Sequence, residues 1–194
     1  MRSASIKRET KETSINLCID IDGGGEYKID TGIGFFDHML CLFARHGLFD
    51  LSLTVKGDLK VDEHHTIEDT GIALGEAFAQ AAGDKSGICR YAAQFVPMDE
   101  ALAFASVDFS GRAYLEYCVG CPGEIVGGIN AQVFEEFFRA FAVSAKITLH
   151  IKALYGANTH HIIEAVFKAA ARALRFALED DPRNGGIPST KGVL

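Results

Sequence analysis

The feature that most constrains this chain is that it repeats. A shift of 160 − 64 = 96 residues lays His64, His65 and Glu68 of "DEHHTIED" on His160, His161 and Glu164 of "NTHHIIEA". The same shift lays Leu51, Leu53 and Val55 on Ile147, Leu149 and Ile151, and Ala73 and Ala77 on Ala169 and Ala173. The match runs through strand, loop and helix patterns without a gap. A period of half the chain reads as a duplicated supersecondary unit.

Each copy carries the same order of patterns. Residues 3–9 read as a strand, and "SINLCIDI" sets Ile15, Leu17, Ile19 and Ile21 on one face of the next. "DGGGE" is a turn and "YKIDT" the returning strand. "GFFDHMLCLFARHG" has helical apolar spacing, with Gly47 as its stop and His46 as a cation favoured by the helix C-terminus. "LFDLSLTV" alternates again, and residues 64–82 form a second helix. The second copy offers "ALAFASVDF", "RAYLEYCV", a Gly-rich connection, a helix near 131–143, "KITLHIKA" and a helix near 159–180. The expected fold is α/β, of the two-layer α+β kind. It is a tandem repeat of two units, each a four-stranded mixed sheet with two helices on one face. Residues 1–93 and 94–181 are the two units, and 182–194 is a polar tail. With no linker between them, the units are expected to share one core.

The charge balance, 19 Lys and Arg against 26 Asp and Glu, gives a net −7 and argues against nucleic acid as a partner. No apolar run reaches 18 residues, so no membrane span is expected. "MRSASIKRETKET" lacks the apolar core of a signal peptide, and five cysteines are an odd number for a disulfide framework. These point to a cytoplasmic protein with reduced thiols. Cys118-x-x-Cys121 precedes Pro-Gly and has no second pair, so it reads as structural rather than as a zinc or redox site.

The doubled polar cluster carries the chemistry. On a helix, His64 and Glu68 stand at i and i+4 on one face, while His65 is rotated by about 100°. Imidazole with carboxylate suits Mn, Fe and Zn. Each copy therefore offers a ligand pair in one direction and a single ligand in another, and two copies can complete two metal sites reciprocally. One such cluster on a helix is more often a solvated polar face. Two copies at matching places in a repeat favour a paired use. His38, Glu136 and His150 are further candidates.

"TGIGFFDHML", "DEHHTIEDTGIALGEA", "THHIIEAVFKAAARAL" and "PSTKGVL", in this order, closely resemble imidazoleglycerol-phosphate dehydratase, a family of histidine biosynthesis. The resemblance runs from "RETKET" to the last residue. It implies two Mn²⁺ per active site. The implied metal ligands are His38, His64, His65, Glu68, Glu136, His160, His161 and Glu164, several of which also meet the substrate. The family usually carries histidine where Glu136 stands, and a polar pair where Cys41 and Leu42 stand. His150 resembles a family-typical histidine that is not a ligand.

The reaction implied is loss of water from imidazoleglycerol phosphate to give imidazoleacetol phosphate. It proceeds through a metal-stabilised imidazolate and a diazafulvene-like intermediate. Glu12 of "TKET" is the implied acid–base group, with Glu68 or Glu164 sharing the task. Arg90, Arg112, Lys168, Ser189 and Lys191 are implied for the phosphate. The implied assembly is a homo-oligomer, a 24-subunit shell built from trimers with active sites at subunit contacts. A binuclear phosphate-ester hydrolase shares the metals and basic groups, and free phosphate as product distinguishes it. A ferritin-like metal store expects a four-helix bundle with Glu-x-x-His pairs, which the strand patterns of this chain oppose.

Overall fold

The duplication is visible strand by strand in the computed structural model, which describes residues 2–192 and 194. The first half forms β1 (Ser3–Glu9), β2 (Thr13–Asp20), β3 (Tyr27–Asp30), α1 (Gly34–Gly47), β4 (Asp50–Gly57) and α2 (His64–Ala82). The second forms β5 (Tyr91–Met98), β6 (Ala101–Asp108), β7 (Tyr114–Cys118), β8 (Ile125–Val126), β9 (Ile129–Asn130), α3 (Val133–Ala145), β10 (Thr148–Tyr155) and α4 (Thr159–Leu178). The two large sheets have matching orders, β1-β2-β4-β3 and β5-β6-β10-β7. In each, two neighbouring pairs are antiparallel and the last is parallel. These are the two mixed four-stranded sheets that the patterns predict.

Period-two alternation explains which face of each sheet is covered. Ile15, Leu17 and Ile19 of β2 are buried, as are Ala103, Ala105 and Val107 of β6. Against these faces lie α2 in the first half and α4 in the second. The halves then meet helix to helix, α2 on α3 and α1 on α4, so the sheets are outermost. One apolar cluster draws on both halves. Phe36, Phe137, Phe138 and Phe167 interlock at its centre. A Cβ on Gly71 would stand 2.5 Å from the Phe137 carbonyl oxygen, and one on Gly75 2.5 Å from that of Phe141. Glycine at both lets α2 press its backbone directly onto α3.

The repeat is not free of gaps, which corrects the uniform 96-residue match. Adding 88 to the β1–β2 pair Arg8–Ile15 gives the β5–β6 pair Val96–Ala103. Adding 98 to the left-handed C-cap Leu48 gives the left-handed C-cap Lys146. Only α2 and α4 keep 96. The first step, 98 − 88 = 10 residues, falls at the β8–β9 insertion. The second, 98 − 96 = 2, falls between β10 and α4. Leu51 therefore corresponds to Leu149 rather than Ile147. A two-residue slip in a strand leaves the same side chains facing inward, so the apolar pattern hides it.

Two other expectations change. Gly47 is the last helical residue of α1, and the left-handed position falls on Leu48 (φ 55°). Gly47 is needed because the Phe49 ring folds over it and fills the place a Cβ would take. Strand β5 and the β8–β9 hairpin have no counterpart among the patterned segments. β5 carries Pro97, which an edge strand tolerates. Among the described residues, no helix is long and apolar enough to cross a membrane.

Candidate active site

Asn158 caps α4 by accepting from the His160 N–H at 2.9 Å, which sets His160 and His161 in the first turn. Glu164 follows one turn later, on the His160 face. Helix α1 of the other half lies against α4 and brings His38 to the same place. The Glu164 Oε2 is 3.3 Å from His160 Nε2 and 3.7 Å from His38 Nε2. One donor atom from each residue lies within 4.8 Å of the others. Such spacings fit donors sharing one ion at about 2.0–2.2 Å, and imidazole with carboxylate fits a divalent first-row metal. Glu164 is buried, and its Oε1 accepts from Lys168 Nζ at 2.5 Å. Burial would raise the Glu164 pKa. The Lys168 bond and charge, with His38 and His160, outweigh that and hold it below the ordinary carboxylate value.

The corresponding place in the other half is looser. His64 Nε2 and Glu68 Oε2 are 3.4 Å apart on α2. Glu136 of α3 shares with His64 a cavity of about 280 Å³, lined also by Asp62, Glu63 and Gln132. Glu136 accepts from Arg139 Nε at 3.3 Å. Arg139 thus offers the Glu136 carboxylate a partner on its own helix. Among the described residues, only His38, His160 and Glu164 bring three donors within reach of one ion.

His65 and His161 point away from these pairs, and each is held by a carboxylate. His65 Nδ1 is 3.0 Å from Asp58 Oδ2 and 3.9 Å from Glu12 Oε2. His161 Nδ1 is 2.7 Å from Glu100 Oε2. The hydrogen bond to Asp58 raises the pKa of His65, and that to Glu100 raises the pKa of His161. The Glu100 carboxyl is lowered to about 2, first by the His161 bond and then by the Asn158 N–H. Glu12 sits at the β1–β2 turn. Asp69 of α2 fastens that turn, accepting from Arg8 at 2.9 Å and from the Thr13 hydroxyl. Sequence reasoning missed Asp58 and Glu100. For Glu100 a signal existed, since 12 + 88 = 100 makes it the counterpart of Glu12, but the single 96-residue shift conceals it.

Four of the five residues implied for the phosphate line one open cavity of about 750 Å³: Arg90, Arg112, Ser189 and Lys191. The Arg90 guanidinium is already engaged, donating to Asp108 Oδ1 at 2.7 Å and to the Pro188 carbonyl at 2.6 Å. It fastens the tail, while Arg112 and Lys191 remain exposed to meet an anion. Lys168 stands apart from this cavity, bonded to Glu164. The cavity lies at the far end of α4, where the Arg90 N–H bonds the Ala177 carbonyl. From Glu164 to Ala177 is 13 residues, roughly 20 Å along a helix.

Other candidates fall away. His46 does lie in the last turn of α1, but burial, with Lys168 and Arg172 nearby, lowers its pKa and disfavours the helix-end cation expected. His150 is exposed on the outer face of β10 beside the Tyr114 ring. Cys118 and Cys121 are free thiols, and Cys118 donates to Glu116.

A duplicated α+β chain carries a His–His–Glu group between its halves, of a kind that suits a divalent metal, and a basic cavity near the far end of α4 whose chemistry suits a small anion. Residues 31–174 match the family described as imidazoleglycerol-phosphate dehydratase. An imidazoleglycerol-phosphate dehydratase of Caldanaerobacter subterraneus subsp. tengcongensis is 59% identical over 194 residues, covering all of both chains. One of Gluconacetobacter diazotrophicus is 58% identical, covering all of this chain and 98% of the other. The crystal structure of the Staphylococcus aureus enzyme superposes with a TM-score of 0.84 at 40% identity, over 92% of this chain and 99% of that one. The Pyrococcus furiosus structure gives 0.84 at 38%, over 97% and 100%. The chain belongs to the imidazoleglycerol-phosphate dehydratase family.

Proposed function

We propose that this chain is a cytoplasmic hydro-lyase of histidine biosynthesis that converts imidazoleglycerol phosphate to imidazoleacetol phosphate, with two Mn²⁺ per active site. The His38–His160–Glu164 group carries the reading, because it joins three metal donors from two halves of the repeat at one point. His64, Glu68 and Glu136, with the outward His65 and His161, supply the remaining ligands. A metal pair held by these residues would supply positive charge that favours loss of the imidazole ring proton.

The chain's own groups do the rest. Glu164 has Oε1 occupied by Lys168, which leaves Oε2 as its ligand atom. Glu68 is likewise committed to the His64 face. Glu12 is the carboxylate left free for proton transfer, exposed on its fastened turn and 3.9 Å from His65. It takes the proton from the carbon beside the one that loses its hydroxyl, and that hydroxyl leaves with a proton as water. Arg112 and Lys191, with the Ser189 hydroxyl and the Arg90-fastened tail, hold the phosphate.

The substrate's ring and phosphorus are five bonds apart, about 7 Å when extended. The roughly 20 Å between Glu164 and the basic cavity of the same chain exceeds that reach. On this reading one substrate draws its metal group and its phosphate cavity from different copies. This supports a homo-oligomer with sites at subunit contacts, a 24-mer built from trimers in our reading. The test is a product assay by NMR on chelated protein reloaded with Mn²⁺. A metal-dependent ketone without free phosphate is expected. Phosphate release would favour a hydrolase, and full turnover in chelator would end the metal reading.

A further inference from the structure

Two histidines of the doubled motif do not join the close pairs of their own halves. Their ring orientation is set by groups to which neither the motif nor the family likeness gives a part. His161 Nδ1 meets the Glu100 carboxylate at 2.7 Å. The other Glu100 oxygen, Oε1, accepts from the backbone N–H groups of Ala157 at 3.1 Å and Asn158 at 2.8 Å. Those N–H groups belong to the loop that starts α4. One side chain at the β5–β6 turn thus fixes both the entry to the helix and the ring on its first turn. Asp99, beside it, stands 3.9 Å from His161 Nε2 and makes no hydrogen bond to the ring.

In the first half the task has moved. Glu12 occupies the place of Glu100 in its hairpin, 88 residues earlier, yet lies 3.9 Å from His65. Asp58, from the loop after β4, takes the His65 Nδ1 at 3.0 Å instead. An imidazole whose Nδ1–H donates to a carboxylate carries its lone pair on Nε2, and the ring is more basic for it.

We infer that Glu100 is a positioning residue that holds His161 by Nδ1 so that Nε2 is presented outward to a metal ion. Asp58 does the same for His65, which releases Glu12 from that task. This explains why one of two equivalent glutamates is free for proton transfer and the other is not. The inference rests on the metal reading proposed above.

Mn²⁺ binding to the assembled protein, read by electron paramagnetic resonance of the free ion, tests it. Glu100→Ala is expected to weaken binding at one of the two metals about 10- to 100-fold. Asp58→Ala should weaken the other. Glu100→Gln, which keeps an oxygen for the Nδ1–H but no charge, should recover most of the loss. Glu12→Gln should lower turnover while leaving Mn²⁺ affinity as in the wild type. Wild-type affinity in a folded Glu100→Ala protein overturns the inference. So does a Glu100→Gln protein as weak as Glu100→Ala, which would make the effect one of charge alone. Failure of the wild type to bind Mn²⁺ removes both this inference and the metal reading. Binding that is lost in Glu164→Gln but untouched in Glu100→Ala removes only this one. Nitrogen-15 shifts of His161 in the metal-free wild type need no variant. They should show a protonated Nδ1 and a bare Nε2, and the opposite tautomer refutes the positioning.

Discussion

Glu164→Gln is the sharpest single perturbation of the metal group. The Glu164 and Lys168 side chains are only 9% and 13% exposed, and they meet at 2.5 Å. Removing one partner of a fully buried ion pair costs about 3–5 kcal/mol. Glutamine keeps a side-chain oxygen for the Lys168 ammonium, so the loss is nearer that of one charge-assisted hydrogen bond, about 2 kcal/mol. At about 2.1 cal/mol/K per residue, 194 residues unfold with an entropy of about 0.4 kcal/mol/K, so the metal-free Tm should fall by about 5 °C. Metal binding adds a second difference. Mn²⁺ at 100 times its Kd stabilises the wild type by about 2.7 kcal/mol, or about 7 °C. The variant, lacking the anionic donor, should lose most of that rise. A pH arm gives the sign. The Glu164 carboxyl lies below its ordinary value of 4.5, so its contribution is present above that pH and is lost as pH falls through the lower folded value. The gap between wild type and variant should therefore close on acidification. Calorimetry in chelator, then with Mn²⁺, at neutral and acid pH, reads all three. Equal Tm values in chelator together with an equal Mn²⁺ rise would refute both roles of Glu164, as partner of Lys168 and as metal ligand.

If His65 and His161 bind metal as proposed, their raised pKa values mean that protons compete with the metal at higher pH than for free imidazole. Mn²⁺ affinity should fall as pH falls, beginning above 6.5, and titration calorimetry from pH 8 to 6 should record proton release on binding. Arg112→Ala should raise KM for the phosphate substrate about tenfold or more, the worth of one charge-assisted bond, with Mn²⁺ affinity unchanged. The same variant should bind a phosphate-free imidazole alcohol as the wild type does. Gly75→Ala places a Cβ 2.5 Å from the Phe141 carbonyl oxygen. Overpacking of about 1–3 kcal/mol should outweigh the helix-propensity gain of about 1 kcal/mol and lower the Tm, whereas a rise would mean that α2 and α3 can separate freely.

The fold was legible because its constraints are periodic. Alternation in β2 and β6 and the helical spacing of α2 and α4 name the buried faces without any tertiary knowledge. What stayed hidden is whatever depends on register between elements. The two-residue step between β10 and α4 leaves the strand face unchanged, so the apolar residues at positions 147, 149 and 151 fit either offset. Polar residues are less forgiving. The offset of 98 aligns His38 with Glu136, and only the offset of 88 aligns Glu12 with Glu100. The carboxylates that hold His65 and His161 come from a loop and from a turn. Asp58 lies in a loop that carries no period, and the single 96-residue shift hides the match of Glu100 to Glu12.

The repeat also bears on the proposal that sites form between copies of the chain. Helices α2 and α4 begin with the His-His motif, and the basic cavity gathers at the far end of α4, where β5 enters and the tail returns. Duplication multiplies the His-His-x-x-Glu motif at the helix starts, whereas the basic cavity lies beside the C-terminal end of α4. No local rearrangement closes a roughly 20 Å helix to the reach of a 7 Å substrate. Under the proposal of sites at subunit contacts, two copies brought end to end would do so without altering either, with the Nε2 atoms of His65 and His161 available there as ligands.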